Sequence, residues 1–260
     1  MCQNHSSKEL AVRGWFITLA AIKKLRELNI VKPDKIGLWE ISRAGWICPL
    51  IIEEDQTIAF WLSVSGTDNL DNYRYLLESN LRIEGRSESK IDTIMKEWDF
   101  TNKYQRGGKT YEEFINGTKN LFQDPYCKKL GRGVDNEEEY IEFVDYYKNN
   151  NFIIDAETDL QILVPEFEKT LKYVNCPVLS ISGEKDSQVD WKKTIKLYRE
   201  TIGNNENADL TIKIILNCNH NMQQCKTGAL FEDLSESEWK ACEGYYETML
   251  TWIKEKGFGK

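Results

Sequence analysis

The sequence predicts an α/β fold in which about four parallel strands carry helices on both faces. Short apolar runs rich in strand-forming residues occur at 35–39, 57–64, 178–181 and 210–216. Helical patterns separate most of these runs, and strands that alternate with helices are typical of a parallel sheet. The stretch between the second and third runs holds about 110 residues, far more than an ordinary crossover connection. We therefore expect a helical insertion within the sheet domain.

Each helix predicted around the sheet has apolar side chains at helical spacing. Ser6 and Ser7 precede the first of them as candidate N-caps. Trp239 and Cys242 lie on the apolar stripe of the last. The predicted spans are 8–28, 44–54, 190–202 and 236–256.

The long break in the sheet sets the predicted domains. Residues 1–67 and 176–260 form the sheet domain, and residues 68–175 form a helical cap with loops at 106–108 and 131–133. The cap is rich in aromatic residues. At helical spacing such residues most often form a core; the alternative is that they line a pocket for an apolar acyl or aryl group.

Composition excludes several classes of protein. The chain has 260 residues, of which 41% are hydrophobic, so it can bury a sizeable core. Its net charge of −8 argues against a nucleic-acid partner and gives no support to binding an anionic membrane. The apolar stretch 15–22 is too short to cross a bilayer, and residues 1–9 are too polar for a signal peptide. A cytoplasmic location is expected.

The cysteines agree with that expectation. There are seven, an odd number, and no CxxC pair occurs, which indicates free thiols in a reducing compartment. Cys218, His220 and Cys225 resemble part of a metal site, but their spacing is irregular and a fourth ligand is not evident. No metal and no cofactor are expected.

Three residues that could act together each follow a predicted strand. Ser42 follows the first strand, Asp186 the third and His220 the fourth. Open parallel sheets place their sites at the carboxyl ends of the strands, where these side chains would meet. The chain has only one other histidine, His5, which lies near the N-terminus.

These residue types can divide the work of nucleophilic catalysis. A serine hydroxyl needs a base to take its proton, and a neutral histidine suits this role near pH 7. A buried carboxylate orients that histidine and stabilises its charged form. A sharp strand-to-helix turn at Ser42 would also aim the backbone N–H of Arg43 at the developing oxyanion. Each residue alone is a weak signal; their joint placement is stronger.

The same residues resemble a known family. Residues 33–50 resemble the nucleophile-elbow region of bacterial α/β-hydrolases, nearest to the dienelactone-hydrolase, acyl-thioesterase and prolyl-oligopeptidase-like branches. Residues 176–189 are similar to the acid-bearing strand and loop, and residues 219–222 to the histidine loop. The similarity covers 8–66 and 160–255. It implies that Ser42 is the nucleophile, Asp186 the acid and His220 the base, without a cofactor.

The elbow departs from the family pattern at one important position. The usual motif is Gly-x-Ser-x-Gly, whereas this chain has Glu40-Ile41-Ser42-Arg43-Ala44. Alanine at 44 is a mild change, and Gly45 follows. Glu40 adds bulk and a charge, so we expect it to widen the turn, to point to solvent or to pair with Arg43.

The sheet also departs from the family in its number of strands. Family members have about eight strands and an oxyanion loop, often His-Gly-Gly-like, ahead of the nucleophile; here about four strands are predicted, without the N-terminal ones or that loop. The strand at 35–39 would then be an exposed apolar edge, which invites pairing. We expect a second copy or a partner chain to cover it, unless the sequence is the later part of a longer gene product.

Two functions are consistent with these features. The first is a serine hydrolase that cleaves an ester, thioester or amide of a small acyl substrate through an acyl-enzyme. The second is a catalytically silent or truncated α/β-hydrolase-like domain that acts as a binding module or is a non-functional remnant. The triad order favours the first, and Glu40 with the absent oxyanion loop favours the second.

Overall fold

A computed structural model describes residues 7–68, 72–131, 133–150, 152–206, 209–234 and 239–259, with the backbone alone at 7–13 and at 33. The described helices and strands, in chain order, are α1 (Ser7–Glu27), β1 (Leu38–Ile41), α2 (Ile47–Glu54), β2 (Trp61–Val64), α3 (Tyr73–Ile83), α4 (Glu88–Tyr104), α5 (Tyr111–Gly117), α6 (Lys119–Gln123), α7 (Pro125–Lys129), α8 (Glu137–Asn149), β3 (Ile153–Ile154), β4 (Gln161–Ile162), α9 (Phe167–Lys172), β5 (Val178–Gly183), α10 (Trp191–Glu200), β6 (Leu210–Ile215) and α11 (Tyr245–Glu255). Short 3₁₀ helices occupy Pro33–Lys35, Ser42–Trp46 and Ile202–Asn204.

Four parallel strands form the main sheet, in the order β1-β2-β5-β6. The register places Leu38 beside Trp61 and Glu40 beside Ser63. Because all four strands run the same way, their carboxyl ends share one edge of the sheet. The α/β class and the strand number predicted from the sequence are confirmed.

Helices cover both faces of the sheet. Leu62 and Val64 of β2 pack in a core with side chains of α11. Trp61, on the opposite face, packs against Tyr198 of α10 in a tilted arrangement with ring centroids 5.5 Å apart. Successive strand residues point to opposite faces, so each helix layer receives every second side chain.

β1 follows the same alternation, but one of its faces is open. Leu38 and Glu40 are buried, whereas Trp39 is 59% exposed and Ile41 44% exposed. The register places Trp39 beside Leu62, on the face that α11 packs against. β1 is also an edge strand of this sheet.

The chain divides into two compact units. One consists of Met1–Asn72 with Val164–Lys260 and contains the sheet; the other is Tyr73–Leu163. The second unit holds α3 to α8 and an antiparallel pair, β3 with β4. Part of its core is aromatic, with Phe114 and Tyr140 at the centre. Helix α9, inside the predicted 68–175 insertion, belongs to the first unit and contacts α2.

Several predicted element bounds are wrong. The first strand begins at Leu38 rather than 35, because Pro33–Lys35 forms a 3₁₀ turn. The α-helical part of the segment 44–54 begins at Ile47, after a second 3₁₀ turn. The sequence pattern did not indicate the β3–β4 pair at all. Ser6 lies outside the described residues.

The last helix begins at Tyr245, not at residue 236. Just before it, Ala241 pairs with Gln223 and the Cys242 N–H donates to the Met222 carbonyl. This segment is tied to the chain beside His220, so its apolar periodicity does not continue as a helix. Among the described residues, helices with the length and hydropathy needed to cross a membrane do not occur.

Candidate active site

Ser42 occupies a strained turn at the carboxyl end of β1. Its φ is +62°, in the left-handed region that costs an L-residue about 1–2 kcal/mol. The 3₁₀ helix Ser42–Trp46 starts at this residue and leads directly into α2. A strand, a sharp turn and a helix in this order raise the serine hydroxyl above the sheet, as in a nucleophile elbow.

Gly45 lets the turn pack closely on the chain that follows β2. A Cβ at this position would lie 3.3 Å from the Gly66 Cα, the Thr67 nitrogen and Glu40 Oε1. These contacts are tighter than ordinary van der Waals distances, so a larger residue would require the neighbouring atoms to give way by a few tenths of an ångström. Close packing therefore explains why glycine occupies position 45, directly after Ala44.

Asp186 lies in the loop after β5, with its side chain fully buried. Its Oδ1 accepts the backbone N–H groups of Gln188 at 2.8 Å and Val189 at 3.0 Å. Its Oδ2 lies 2.9 Å from Nδ1 of His220. The backbone donors hold the carboxylate in one orientation, with its second oxygen directed at the histidine.

His220 joins the other two residues. Its Nδ1 faces Asp186, and its Nε2 lies 2.9 Å from the Ser42 Oγ. An ionised carboxylate can only accept a hydrogen bond, so Nδ1 donates to Asp186. The neutral ring then has its lone pair on Nε2, which accepts the Ser42 hydroxyl proton. The structure thus brings together all three residues that the sequence singled out.

The backbone around His220 is held from two sides. Cys218 forms a disulfide with Cys242, which belongs to the segment just before α11. On the other side, Gly183 ends β5 so close to the loop that a Cβ would lie 2.4 Å from the Cys218 carbonyl oxygen and 2.5 Å from that of Asn219. The disulfide and the close contact with Gly183 restrict the backbone that positions the imidazole ring.

The disulfide corrects two interpretations of the cysteines. The expectation that all seven are free thiols is wrong, because Cys218 is bonded to Cys242. For the same reason Cys218 has no thiolate to offer a metal in company with His220 and Cys225. Among the described residues, clusters of three or more side chains able to hold a metal ion do not occur.

Glu40 takes none of the orientations expected for it. It is 5% exposed, and its Oε1 accepts the Ser63 hydroxyl at 2.7 Å, with the Tyr198 hydroxyl a further 3.2 Å from Ser63. Strand alternation accounts for this, since residue 40 shares the buried face of β1 with Leu38. Burial raises the pKa of the Glu40 carboxyl well above its usual range. The turn at Ser42 forms nonetheless.

Arg43 is the second residue of the 3₁₀ helix that begins at Ser42. Backbone N–H groups in the first turn of a helix have no partner within the helix. The Arg43 N–H is therefore free of the helical ladder, directly beside the Ser42 hydroxyl in the chain. The oxyanion role of this N–H stays a prediction.

Sequence reasoning missed Ser65. It is fully buried at the end of β2, and its hydroxyl donates to the backbone carbonyl of His220 at 2.8 Å. The only local signal was a Ser-Gly pair after an apolar strand, which indicates a turn and nothing about its distant partner.

Comparison with known proteins gives similarity of structure only. No family model matches the chain, and no curated protein matches it. The solved structures similar to it include VinJ, with a TM-score of 0.43 and 14% identity over 90% of this chain and 69% of that one. A monoacylglycerol lipase from Paleococcus ferrophilus has a TM-score of 0.42 and 14% identity over 95% of this chain and 76% of that one.

A dipeptidyl peptidase 4 from Porphyromonas gingivalis has a TM-score of 0.43 and 12% identity; the match covers 96% of this chain and 23% of that one. Identities and TM-scores this low give no ground for choosing an activity. Its likeness to α/β-hydrolases therefore rests on the chain's own residues and geometry. Its own parallel sheet and the strand–turn–helix at Ser42 have the features of that class.

Proposed function

We propose that the chain is a serine hydrolase that cleaves an ester, thioester or amide bond through an acyl-enzyme. The single observation that supports this most is the pair of hydrogen bonds that joins Ser42 to His220 and His220 to Asp186. A serine with only a structural role does not require a buried histidine and a buried carboxylate aligned with its hydroxyl. These hydrogen bonds, together with the strained turn at Ser42, are the arrangement that nucleophilic catalysis requires.

In this proposal, His220 acts as base and then as acid. Its Nε2 takes the hydroxyl proton as the Ser42 oxygen attacks the acyl carbonyl, and it then gives that proton to the leaving group. Water attacks the acyl-enzyme in the second half of the reaction, and Nε2 takes a proton from that water. The bond between the Ser42 oxygen and the acyl group then breaks, the acid leaves, and Nε2 returns the proton to the Ser42 oxygen. Asp186 keeps the ring oriented and stabilises its positive charge.

The developing oxyanion would be stabilised by the backbone N–H of Arg43. One donor of this kind typically lowers the barrier by about 3 kcal/mol. Because a backbone donor is contributed by the fold, substitution of the Arg43 side chain is not expected to abolish the reaction. The substrate is proposed only as a class, a small molecule with a reactive acyl group.

Labelling with a fluorophosphonate probe, followed by mapping of the modified peptide, tests the proposal. We expect a covalent adduct on Ser42 that is lost in Ser42→Ala and His220→Ala and retained in Ser89→Ala, which alters an exposed serine. Absence of an adduct on the folded wild-type chain would contradict the proposal and favour the silent domain. Labelling that appears only in Glu40→Gly would show that the elbow alone is impaired.

The cytoplasmic location predicted from the cysteines stays a prediction. The Cys218–Cys242 disulfide counts against it, since such bonds persist mainly in oxidising compartments. Rapid alkylation of the protein inside intact cells, followed by peptide mass analysis, decides the matter. If Cys218 and Cys242 escape alkylation and are recovered as one disulfide-linked pair, a reducing compartment is excluded.

A further inference from the structure

Ser65 ties together chain segments that lie far apart in the sequence. It follows β2 directly, and its backbone N–H donates to the Ile181 carbonyl of β5 at 2.8 Å. Its hydroxyl donates to the His220 carbonyl at 2.8 Å, across 155 positions of the sequence. Ser65 thus connects β2 to β5, the strand that precedes Asp186, and to the backbone of His220.

The backbone of Ser65 is in an unfavourable conformation. Its φ is +48°, a region that glycine enters freely and that other residues adopt at a cost. Glycine would fit this backbone but would offer no hydroxyl. Strained residues of this kind occur where a side chain serves a site, and here the side chain reaches His220.

The contact lies on the backbone of His220 itself. The disulfide holds the loop at Cys218, and Gly183 abuts the carbonyls of Cys218 and Asn219. A shift of the His220 carbonyl would move the imidazole ring relative to both Ser42 and Asp186. Displacements of about 1 Å at a reacting group can lower a rate by about 100-fold.

We propose that Ser65 is a positioning residue that sets the place of the His220 imidazole through its bond to the His220 carbonyl. The inference rests on the proposed hydrolase function. Ser65 takes no part in bond making, because its hydroxyl is committed to a backbone carbonyl. Its contribution is to the rate of Ser42 acylation rather than to substrate binding.

Two substitutions separate positioning from stability. Ser65→Ala removes the hydroxyl and keeps the backbone strain, whereas Ser65→Gly removes the hydroxyl and relieves the strain. The matched control is Thr201→Val, which removes another buried hydroxyl that donates to a carbonyl, that of Leu197 at 2.6 Å, outside the site. Melting temperature and the rate of fluorophosphonate labelling at Ser42 are measured for each variant.

We expect both Ser65 variants to be labelled about 10- to 100-fold more slowly than wild type. Thr201→Val should label at the wild-type rate. With chromogenic acyl esters, the loss should appear in kcat, with KM little changed. A wild-type labelling rate in Ser65→Gly would overturn the proposal, because the Ser65 hydroxyl would then not be needed to place the imidazole.

A second readout does not depend on activity. The Nδ1 proton that His220 shares with Asp186 is expected to give a far-downfield proton NMR signal, to be identified by its absence in His220→Asn. We expect Ser65→Ala to shift or broaden this signal and Thr201→Val to leave it unchanged. If wild type fails to label, the hydrolase proposal fails, and an unchanged signal in Ser65→Ala would separately reject the role of Ser65.

Discussion

Burial controls the charge of Glu40, two residues before Ser42. Its Oε1 accepts the Ser63 hydroxyl, and its Oε2 has no hydrogen-bond partner among the described residues. Burial raises the pKa of its carboxyl and outweighs the hydrogen bond from Ser63, which lowers it. The groups facing it also have raised pKa values, chiefly through their own burial and then through the charge of Glu40: the thiol of Cys48 and the hydroxyl of Tyr198. Glu40 therefore holds its proton at pH values where an exposed glutamate is ionised.

Stability should consequently fall as pH rises, and Glu40→Gln should remove that loss. The unfolded chain releases this proton near pH 4.5, the ordinary value, and the folded chain only well above it. Between these values the folded state binds more protons, so wild-type stability decreases with increasing pH. We expect Glu40→Gln to match wild type below pH 4.5 and to exceed it at higher pH, on the order of 1–3 kcal/mol, the typical cost of an unsatisfied buried group.

Thermal unfolding measured across this pH range checks the prediction. Glu97→Gln is a suitable control, since it replaces a glutamate of the helical unit that accepts hydrogen bonds from Asn120 and the Leu121 N–H. A difference between Glu40→Gln and wild type that does not vary with pH would show that Glu40 has the same pKa in the folded and unfolded chains, and would contradict the prediction.

At the scale of elements, the histidine loop between β6 and α11 depends on a covalent tie. The disulfide closes a loop between residues separated by 24 positions, and His220 lies within that loop. A bond of this kind stabilises a fold by about 2–4 kcal/mol. The segment before α11 therefore stabilises the site through a covalent bond as well as through its hydrogen bond to Met222.

The double variant Cys218→Ala/Cys242→Ala should unfold at lower temperature and label more slowly at Ser42. Release of the tie lets the histidine loop depart from its place beside Asp186. Cys225→Ala is the control, because this free thiol lies in the same stretch of chain and its sulfur donates to the Asn217 carbonyl. Unfolding and labelling equal to wild type in the double variant would contradict a role for the disulfide.

At the scale of the whole molecule, the open edge of the sheet invites association. β1 is an edge strand, and Trp39 and Ile41 are exposed on it. Beside it lies an apolar groove of about 400 Å³ lined by Trp39, Leu62, Tyr246, Met249, Leu250 and Ile253. Exposed apolar edge strands pair readily with other chains. We propose that the chain self-associates through this edge.

Native mass measurement over a range of concentrations tests this proposal. We expect a mass greater than that of one chain, reduced to one chain by Trp39→Lys, since lysine on an edge strand opposes pairing. Phe16→Lys is the matched control: Phe16 is an equally exposed aromatic residue on α1, 59% in both cases. Wild type that remains a single chain at every concentration would reject the edge as an interface.

The fold and the three triad positions could be predicted because their signals are local. Short apolar runs, turn residues and helical spacing lie within a few positions of one another, so the strands before Ser42, Asp186 and His220 were recognisable. The first strand and the second helix begin later than predicted because a 3₁₀ turn precedes each of them. The last helix begins later because a distant pairing ends the local pattern. Local periodicity does not report such contacts.

The sequence by itself determined the order of strands and helices and the end of the sheet at which Ser42, Asp186 and His220 lie. Only the tertiary structure decided how those residues are held: the burial of Glu40 against Ser63, the bond from Ser65 to His220, and the pairing of Cys218 with Cys242. These contacts join residues 23, 155 and 24 positions apart. Partners at such separations depend on how the strands stack in space, and no short stretch of chain encodes that arrangement.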